Sequence, residues 1–323
     1  MVFDSGLGLL DSNPRGIDAI DKALIAELRA DGRQSLAKLG EVVGLTGDSV
    51  RDRLTKLTTD GVIKVTCSVD PRVLGFRSIT LIGVKVRGRA LDIAESLAEV
   101  SEFDFVGCTA GEYDILVEAV CRDELHLLSV VDEHIRSRSD VSGISCYNYL
   151  AVLKFEPGGL STSLSDAEPD TVPLDEVDLK IITALQSDGR ASFQEIAEQI
   201  GVPYQTTRRR AKTLLESNVV RPETLVNRLV DGTAVVAGIG LRTTGPMGDI
   251  AAALTQLDEV EIAVLTTGSF DLMLEVACRD REHLAALVGT IIPSIPGIIS
   301  TETTIYQRVV KLPQSWSGLV RKM

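Results

Sequence analysis

Four of the five residues from Arg208 to Lys212 are cationic, in a chain of 323 residues whose formal net charge is −13. The cluster lies in Tyr204-Gln205-Thr206-Thr207-Arg208-Arg209-Arg210-Ala211-Lys212, just after Gly201-Val202-Pro203, a turn signal that closes one apolar-periodic segment and opens another. Cations at this density on one helix can meet phosphates, and Gln, Thr and Arg side chains near its start can reach base edges. A solvated arginine-rich face is the alternative. A second set of residues suits a different partner. Gly111-Glu112-Tyr113-Asp114 and Gly268-Ser269-Phe270-Asp271 each place a glycine three residues before an aspartate. Glycine lets backbone N–H groups approach a carboxylate, and aspartate offers an anion to an ammonium group, as a zwitterion requires. A plain Gly-Asp hairpin turn has the same spacing.

Other candidate chemistry is thin. His126 and His283 occupy equivalent helical positions, with no Ser or Cys nucleophile at a recognisable spacing, and read as partly buried rather than catalytic. Cys67, Cys108, Cys121, Cys146 and Cys278 form no Cys-x-x-Cys pair and cluster with no histidine. No metal, disulfide framework or cofactor is expected from them, and reduced thiols in a cytoplasm are the default. The N-terminus lacks the pattern of a signal peptide, and no apolar run approaches the roughly 20 residues of a membrane span. The acidic balance argues against coating nucleic acid through bulk charge but permits a locally basic face.

The elements that position these residues are written twice. Asp31-Gly32-Arg33 recurs as Asp188-Gly189-Arg190, an offset of 157 that also pairs Gly44 with Gly201, Arg53 with Arg210 and Gly75 with Gly232. It pairs Gly111 with Gly268, Asp114 with Asp271, and Cys121-Arg122-Asp123 with Cys278-Arg279-Asp280. Charge follows the repeat. Residues 17–64 carry eight acids and eight bases, and 174–221 carry seven of each. Residues 65–155 carry fourteen acids against nine bases, and 222–312 eleven against six. The expected order is an N-terminal tail (1–16), helical segment (17–64), sandwich (65–155), linker (156–173), second helical segment (174–221), second sandwich (222–312) and C-terminal tail (313–323). The Pro-, Gly- and Ser-rich linker can bridge on the order of 20–25 Å, enough for the copies to meet as an intramolecular pseudo-dimer.

Each unit opens with three short helices. Ile20, Leu24, Ile25 and Leu28 keep helical spacing behind Asp18 and Asp21, and Asp31-Gly32 closes that helix through glycine's tolerance of a left-handed cap. Helices follow over Leu36 to Val43 and roughly Asp48 to Thr58, then Phe193 to Ile200 and Gln205 to Leu215 in the second copy. Small residues at Gly40 and Ala197 allow close approach before the third helix. That is the arithmetic of a helix-turn-helix, and Gly61-Val62-Ile63-Lys64 supplies a wing strand. The second half of each unit reads β-α-β-β-α-β, a ferredoxin-like sandwich with helices on one face. Val84, Val86, Val117, Ala119 and Val152 are candidates for the other face, suggesting sheet-on-sheet pairing between copies. The fold class is therefore α+β, with two winged helix-turn-helix domains alternating with two βαββαβ sandwiches.

These residues resemble the Lrp/AsnC, or feast/famine, family of transcription regulators. The marks are Asp-x-x-Asp before the first helix, Asp31-Gly32-Arg33, Arg53…Leu57…Gly61-Val62-Ile63, Val69-Asp70-Pro71…Leu74-Gly75 and Thr109-Ala110-Gly111-Glu112-Tyr113-Asp114. Pro296-Gly297…Ser300-Thr301-Glu302-Thr303 adds another. The resemblance implies double-stranded DNA as partner, read by Tyr204, Gln205, Thr206, Thr207, Arg208, Arg209 and Lys212 in copy two. In copy one the corresponding set is Thr46, Ser49, Arg51 and Lys56, with Arg53 and Arg210 structural. It also implies an amino acid or related effector, held by Gly111, Tyr113 and Asp114 and by Gly268, Phe270 and Asp271, with Thr301 and Thr303 making the copy-two pocket the expected site, since copy one has Ile144 and Cys146 there. Chains of this kind assemble further, here as a homodimer or homotetramer, without a membrane partner. The alternative is an enzyme, since sirohaem decarboxylases are similar to the same two-domain unit.

Overall fold

The computed structural model describes residues 17–155, 173–226 and 235–311. The expected tails, most of the linker, and Gly232 lie outside the described residues. Two compact units emerge, and each draws on both repeats: residues 17–74 with 173–226, and 75–155 with 235–311.

The first unit carries the helix-turn-helix heads. α1 (Ala19–Ala30) starts from a capping box in which Asp18 and Asp21 satisfy each other's backbone N–H. α2 (Leu36–Val43) is capped by Ser35 and ends on Gly44 at φ 72°, and α3 (Gly47–Thr59) is capped by Thr46. Leu24, Ile25, Leu28, Leu39, Val50, Leu54 and Leu57 bury the facing stripes of the three helices in one core. The second head repeats this with α6 (Glu176–Ser187), α7 (Phe193–Ile200) and α8 (Tyr204–Glu216). The wing strand has an unexpected partner. β1 (Ile63–Val69) pairs antiparallel with β6 (Val220–Val226) of the other repeat, so the ribbon joins the two heads. Pairing continues to Val69 opposite Val220, which carries β1 past the expected boundary at residue 64, while Ile63 and Val226 complete the core of the first head.

Asp31-Gly32-Arg33 and its twin form a second, reciprocal link between the heads. The Arg33 guanidinium donates to the carbonyls of Gly189 and Ala191, the latter at 3.0 Å. Arg190 returns the contact to Gly32 at 2.7 Å and Gln34 at 2.9 Å. Thr66 and Thr224 each donate across the repeat at 2.7 Å, to the carbonyls of Gln186 and Leu28. The glycines matter here for size, not handedness. Asp31 and Asp188 occupy the C-caps in extended conformation, contrary to the left-handed glycine cap expected. A Cβ on Gly189 would stand 2.4 Å from the Thr66 carbonyl oxygen, so only glycine admits the opposing ribbon. Burial and the neighbouring Arg33 charge hold the Arg190 pKa below its ordinary value.

The second unit is a barrel. Repeat one supplies β2 (Ser78–Val86), α4 (Ala90–Ala98), β3 (Phe103–Ala110), β4 (Ile115–Cys121), α5 (Glu124–Val131) and β5 (Val141–Phe155). Repeat two supplies β7 (Val235–Thr243), α9 (Met247–Thr255), β8 (Val260–Thr266), β9 (Leu272–Cys278), α10 (Arg281–Ala286) and β10 (Ile298–Lys311). The strands close in the order β10-β3-β4-β2-β5-β8-β9-β7. Each sandwich is thus ferredoxin-like, but the two sheets join at their edges. β5 leaves its own sheet after Asn148 to pair with β8, and β10 crosses at Ile305 to pair with β3. Period-two alternation then corrects the face expected for four residues. Val84, Val117 and Ala119 are buried beneath the helices with Ile93, Leu97 and Leu127, and Val86 packs there too. Val152 alone of that set packs on the interior, where Leu81, Phe105, Tyr113, Leu116, Tyr147 and Phe270 meet.

Removing either arginine of the clasp strips two carbonyls of charge-assisted bonds, so Arg33→Ala or Arg190→Ala should lower stability by about 2–3 kcal/mol in urea denaturation. Lysine should not restore it, because an ammonium cannot fork between two carbonyls. Full recovery with Arg190→Lys would refute this account.

Candidate DNA-binding and effector sites

α8 presents its cations by helical phase. Thr207, Ala211 and Leu214 form its buried stripe, while Gln205, Arg208, Arg209 and Lys212 are exposed, with Tyr204 beside them. Among the described residues, the Arg208, Arg209 and Lys212 side chains form no ion pair. Thr206 is half-buried. Thr207 must be withdrawn from the DNA-reading set. It is 0 % exposed, and its hydroxyl faces the Val202 carbonyl at 3.4 Å. The signal was available in its repeat counterpart Val50, a core residue.

The matching face of α3 is chemically different. Thr46 is engaged as N-cap, with its oxygen 2.9 Å from the Ser49 hydroxyl. Arg51 is paired with Asp48 of the same turn at 2.5 Å. Asp52 and Lys56 are exposed. Where α3 carries Asp48 and Asp52, α8 carries Gln205 and Arg209. Arg53 and Arg210 take the structural role expected of them. Each clamps the capping box of its own first helix, Arg53 at 2.8 Å from Asp18 and Asp21, and Arg210 at 2.7 and 3.0 Å from Asp175 and Asp178.

The two Gly-x-x-Asp turns join neighbouring strands of the barrel. Asp114 accepts the Val86 backbone N–H at 2.8 Å, and Asp271 accepts that of Thr243 at 2.7 Å. One oxygen of each carboxylate is therefore committed to the corner, although both side chains lie at the surface. Tyr113 and Phe270, expected to touch an effector, turn inward instead. Gly83 and Gly240 make room for them: a Cβ there would fall 2.5 Å and 2.7 Å from the respective rings.

Strand exchange also reassigns the threonines. The Thr304 hydroxyl and the Thr303 backbone carbonyl lie against Gly111 of repeat one, because β10 has begun to cross onto β3, whereas Gly268 lies against Cys146 and Tyr147 of β5. Thr303 thus belongs with the first turn, not the second as expected, and Thr301 sits on the repeat-two sheet opposite Leu241. Charged groups gather near Gly111. Lys85 pairs with Glu112 and stands 5.7 Å over the Tyr113 ring. The carboxyl of Glu302 is held above its ordinary value by burial and by Glu112, with Lys85 and Arg242 opposing. The sequence hid Lys85, Glu302 and Arg242 because their convergence depends on pairing between repeats. At the second turn Ser269, Ser145 and Cys146 replace Glu112, Glu302 and Thr303, and Arg242 stands in for Lys85, donating to the Ser269 carbonyl at 2.9 Å, so that turn keeps a cation but lacks the two glutamates.

The histidines are occupied by local structure. His126 and His283 accept backbone N–H groups of Arg122 and Arg279 at Nδ1, and their Nε2 atoms face Glu102 and Glu259 at 3.7 and 2.8 Å. Among the described residues no cluster of three His, Cys, Asp or Glu could hold a metal, and no helix is long and apolar enough to cross a membrane.

Paired helix-turn-helix heads and an α+β barrel with exposed turns are the architecture of a DNA-binding transcription regulator with a ligand-binding domain. The chain belongs to the Lrp/AsnC family. The AsnC-type helix-turn-helix domain matches residues 17–58 and 174–215, and the Lrp/AsnC ligand binding domain matches 235–316. A C-terminal dimeric alpha+beta barrel domain matches 86–157. An HTH-type transcriptional regulator of Pyrococcus abyssi is 35% identical over 142 residues, covering 43% of this chain and 90% of its own length. Another from that organism, FL11, is 34% identical over 142 residues, covering 43% of this chain and 93% of its own. Among solved structures, the sirohaem decarboxylase NirDL with an iron-uroporphyrin III analogue has a TM-score of 0.67 at 16% identity, covering 93% of this chain and 96% of that one. At that identity the likeness shows the fold.

Because Thr207 belongs to the core stripe, Thr207→Val should leave DNA affinity unchanged in a gel-shift titration, while Thr207→Arg should lower the melting temperature by burying a charge. A Thr207→Val variant that folds normally yet loses DNA would return this residue to the interface.

Proposed function

We propose that the chain regulates transcription by gripping duplex DNA chiefly through α8, and that a small zwitterion, an amino acid or close relative, alters that grip from the Gly111 turn. The observation that carries the DNA reading is the contrast between the free Arg208, Arg209 and Lys212 of α8 and the Asp48-paired Arg51 of α3. In this reading Gln205 and Arg208 meet base edges near the start of the helix, while Arg209 and Lys212 neutralise phosphates. The α3 head contributes Ser49, Arg51 and Lys56 more weakly, since Asp48 and Asp52 repel the phosphate backbone.

The effector reading rests on opposite charges converging at one turn. Glu302 and Glu112 can receive an ammonium group, and Lys85 a carboxylate. Such a ligand changes DNA affinity only through unequal binding to two states of the protein, a coupling typically of about 1–3 kcal/mol. The second turn, with Gly268 and Asp271, lacks these paired charges and serves as the weaker site.

Binding assays across a salt series test the first part. Arg208→Ala with Arg209→Ala should weaken binding strongly and flatten the log–log salt slope by about one unit per lost phosphate contact. Arg51→Ala with Lys56→Ala should do less, and equal losses would overturn the inequality of the heads. For the effector, a thermal-shift screen of amino acids should give a stabilising hit. Glu302→Gln should abolish that shift and Ser269→Ala should keep it. The reverse pattern would move the site to the second turn.

A further inference from the structure

Neither the DNA-reading helices nor the turns use a set of polar side chains inside the barrel. Along β4, Glu118 stands opposite Leu81 of β2 and Phe105 of β3, both members of the interior apolar cluster. Residues directly opposite in neighbouring strands share a face, so the Glu118 carboxyl points inward. There it accepts a hydrogen bond from the Tyr149 hydroxyl of β5 at 2.8 Å. Glu275 of β9 and Tyr306 of β10 are the same residue types 157 positions later. Both act electrostatically on the first pair, Glu275 on Glu118 and each of them on Tyr149. Two carboxyls and two phenols, one of each from each repeat, therefore share the interior.

The groups facing Glu118 are one-sided in charge. β5 offers Tyr149, β9 offers Glu275, and β10 offers Tyr306, while the partners on β2 and β3 are apolar. No cation enters the balance at Glu118 among the described residues. Burial pushes its carboxyl up to about 7, the Tyr149 bond opposes this, and the Glu275 charge adds to it. The Tyr149 phenol is raised well above its ordinary value by burial first and then by Glu118.

We propose that this quartet is a proton-operated latch: with the Glu118 carboxyl protonated the two-repeat barrel stays closed around its interior, and ionisation of Glu118 loosens it. The direction follows from proton binding in the two states. Below the ordinary carboxyl value of 4.5, folded and unfolded chains both hold the Glu118 proton, and its stabilising effect is complete. Between 4.5 and about 7 the unfolded chain releases a proton that the folded barrel keeps, so stability falls as pH rises. Above about 7 the loss is complete.

The test is the thermal midpoint of the full chain from pH 5 to 8.5, for wild type, Glu118→Gln and Tyr149→Phe. Wild type should lose several degrees across this range. Glu118→Gln, permanently neutral, should remove the proton-linked part of that loss. Tyr149→Phe deletes a bond that favours the ionised carboxylate, so its loss should shift to higher pH, a displacement that mere packing damage would not produce. Identical pH slopes in wild type and Glu118→Gln would overturn the proposal. Should Glu118→Gln fail to fold, infrared spectra of the wild type decide. A protonated-carboxyl stretch present at pH 6 and gone by pH 8.5 is expected, and its absence at pH 6 would overturn the latch.

Discussion

The length of two strands governs this molecule. β5 spans 15 residues and β10 spans 14, whereas the other barrel strands span 7 to 9. An isolated ferredoxin-like sheet exposes backbone N–H and C=O groups along its edges. By running past its own sheet, each long strand covers an edge of the other repeat, and the barrel closes with no edge left. The ribbon of β1 and β6 applies the same solution to the heads. In separate chains such exchange would depend on protein concentration. Here both partners belong to one chain, so pairing is intramolecular and its effective concentration is set by the connection between repeats.

Strand exchange explains what could be read from the sequence and what could not. Helices were legible because their determinants are local. Ser35 and Gly44 bound α2 at the residues expected, and the apolar stripe from Leu24 to Leu28 marks the buried face of α1. The wing strand was legible as a strand but not as half of a cross-repeat ribbon, since nothing near Ile63 announces Val226 as its partner. The same blindness displaced Thr303, whose neighbour Gly111 lies nearly two hundred residues earlier. Tyr113 and Phe270 misled for another reason. Each stands beside a surface aspartate, and only the opposing Gly83 and Gly240 reveal that the rings point inward.

The Asp-Gly-Arg clasp shows how a local motif can have a distant purpose. Its spacing suggests a helix cap, and Asp31 and Asp188 do occupy the C-caps. The glycine and arginine serve the opposing repeat. Glycine removes the side chain that would strike the ribbon, and arginine delivers two donors to carbonyls that the turn leaves without partners. Because the contact is reciprocal, both copies need the whole motif, and both have it.

Fusion also permits an arrangement that a symmetric dimer could not build. Tyr147 is only 1% exposed, stacks on Phe270 with ring centres 5.5 Å apart, and reaches Tyr113 at 2.6 Å and Ser269 at 3.1 Å through its hydroxyl. One side chain thereby bridges the turns of both repeats. Its counterpart is Thr304, and the counterparts of Tyr113 and Ser269 are Phe270 and Glu112. An identical pair of subunits would bring two such tyrosines into the space that one fills, or leave two threonines and a void. The covalent joint makes the two positions independent, so one repeat can supply the large residue and the other the small one. The same freedom separates Arg209 from Asp52 on the heads. Positions that bind one repeat to the other stay matched, while positions facing solvent or filling a shared interior need only be complementary.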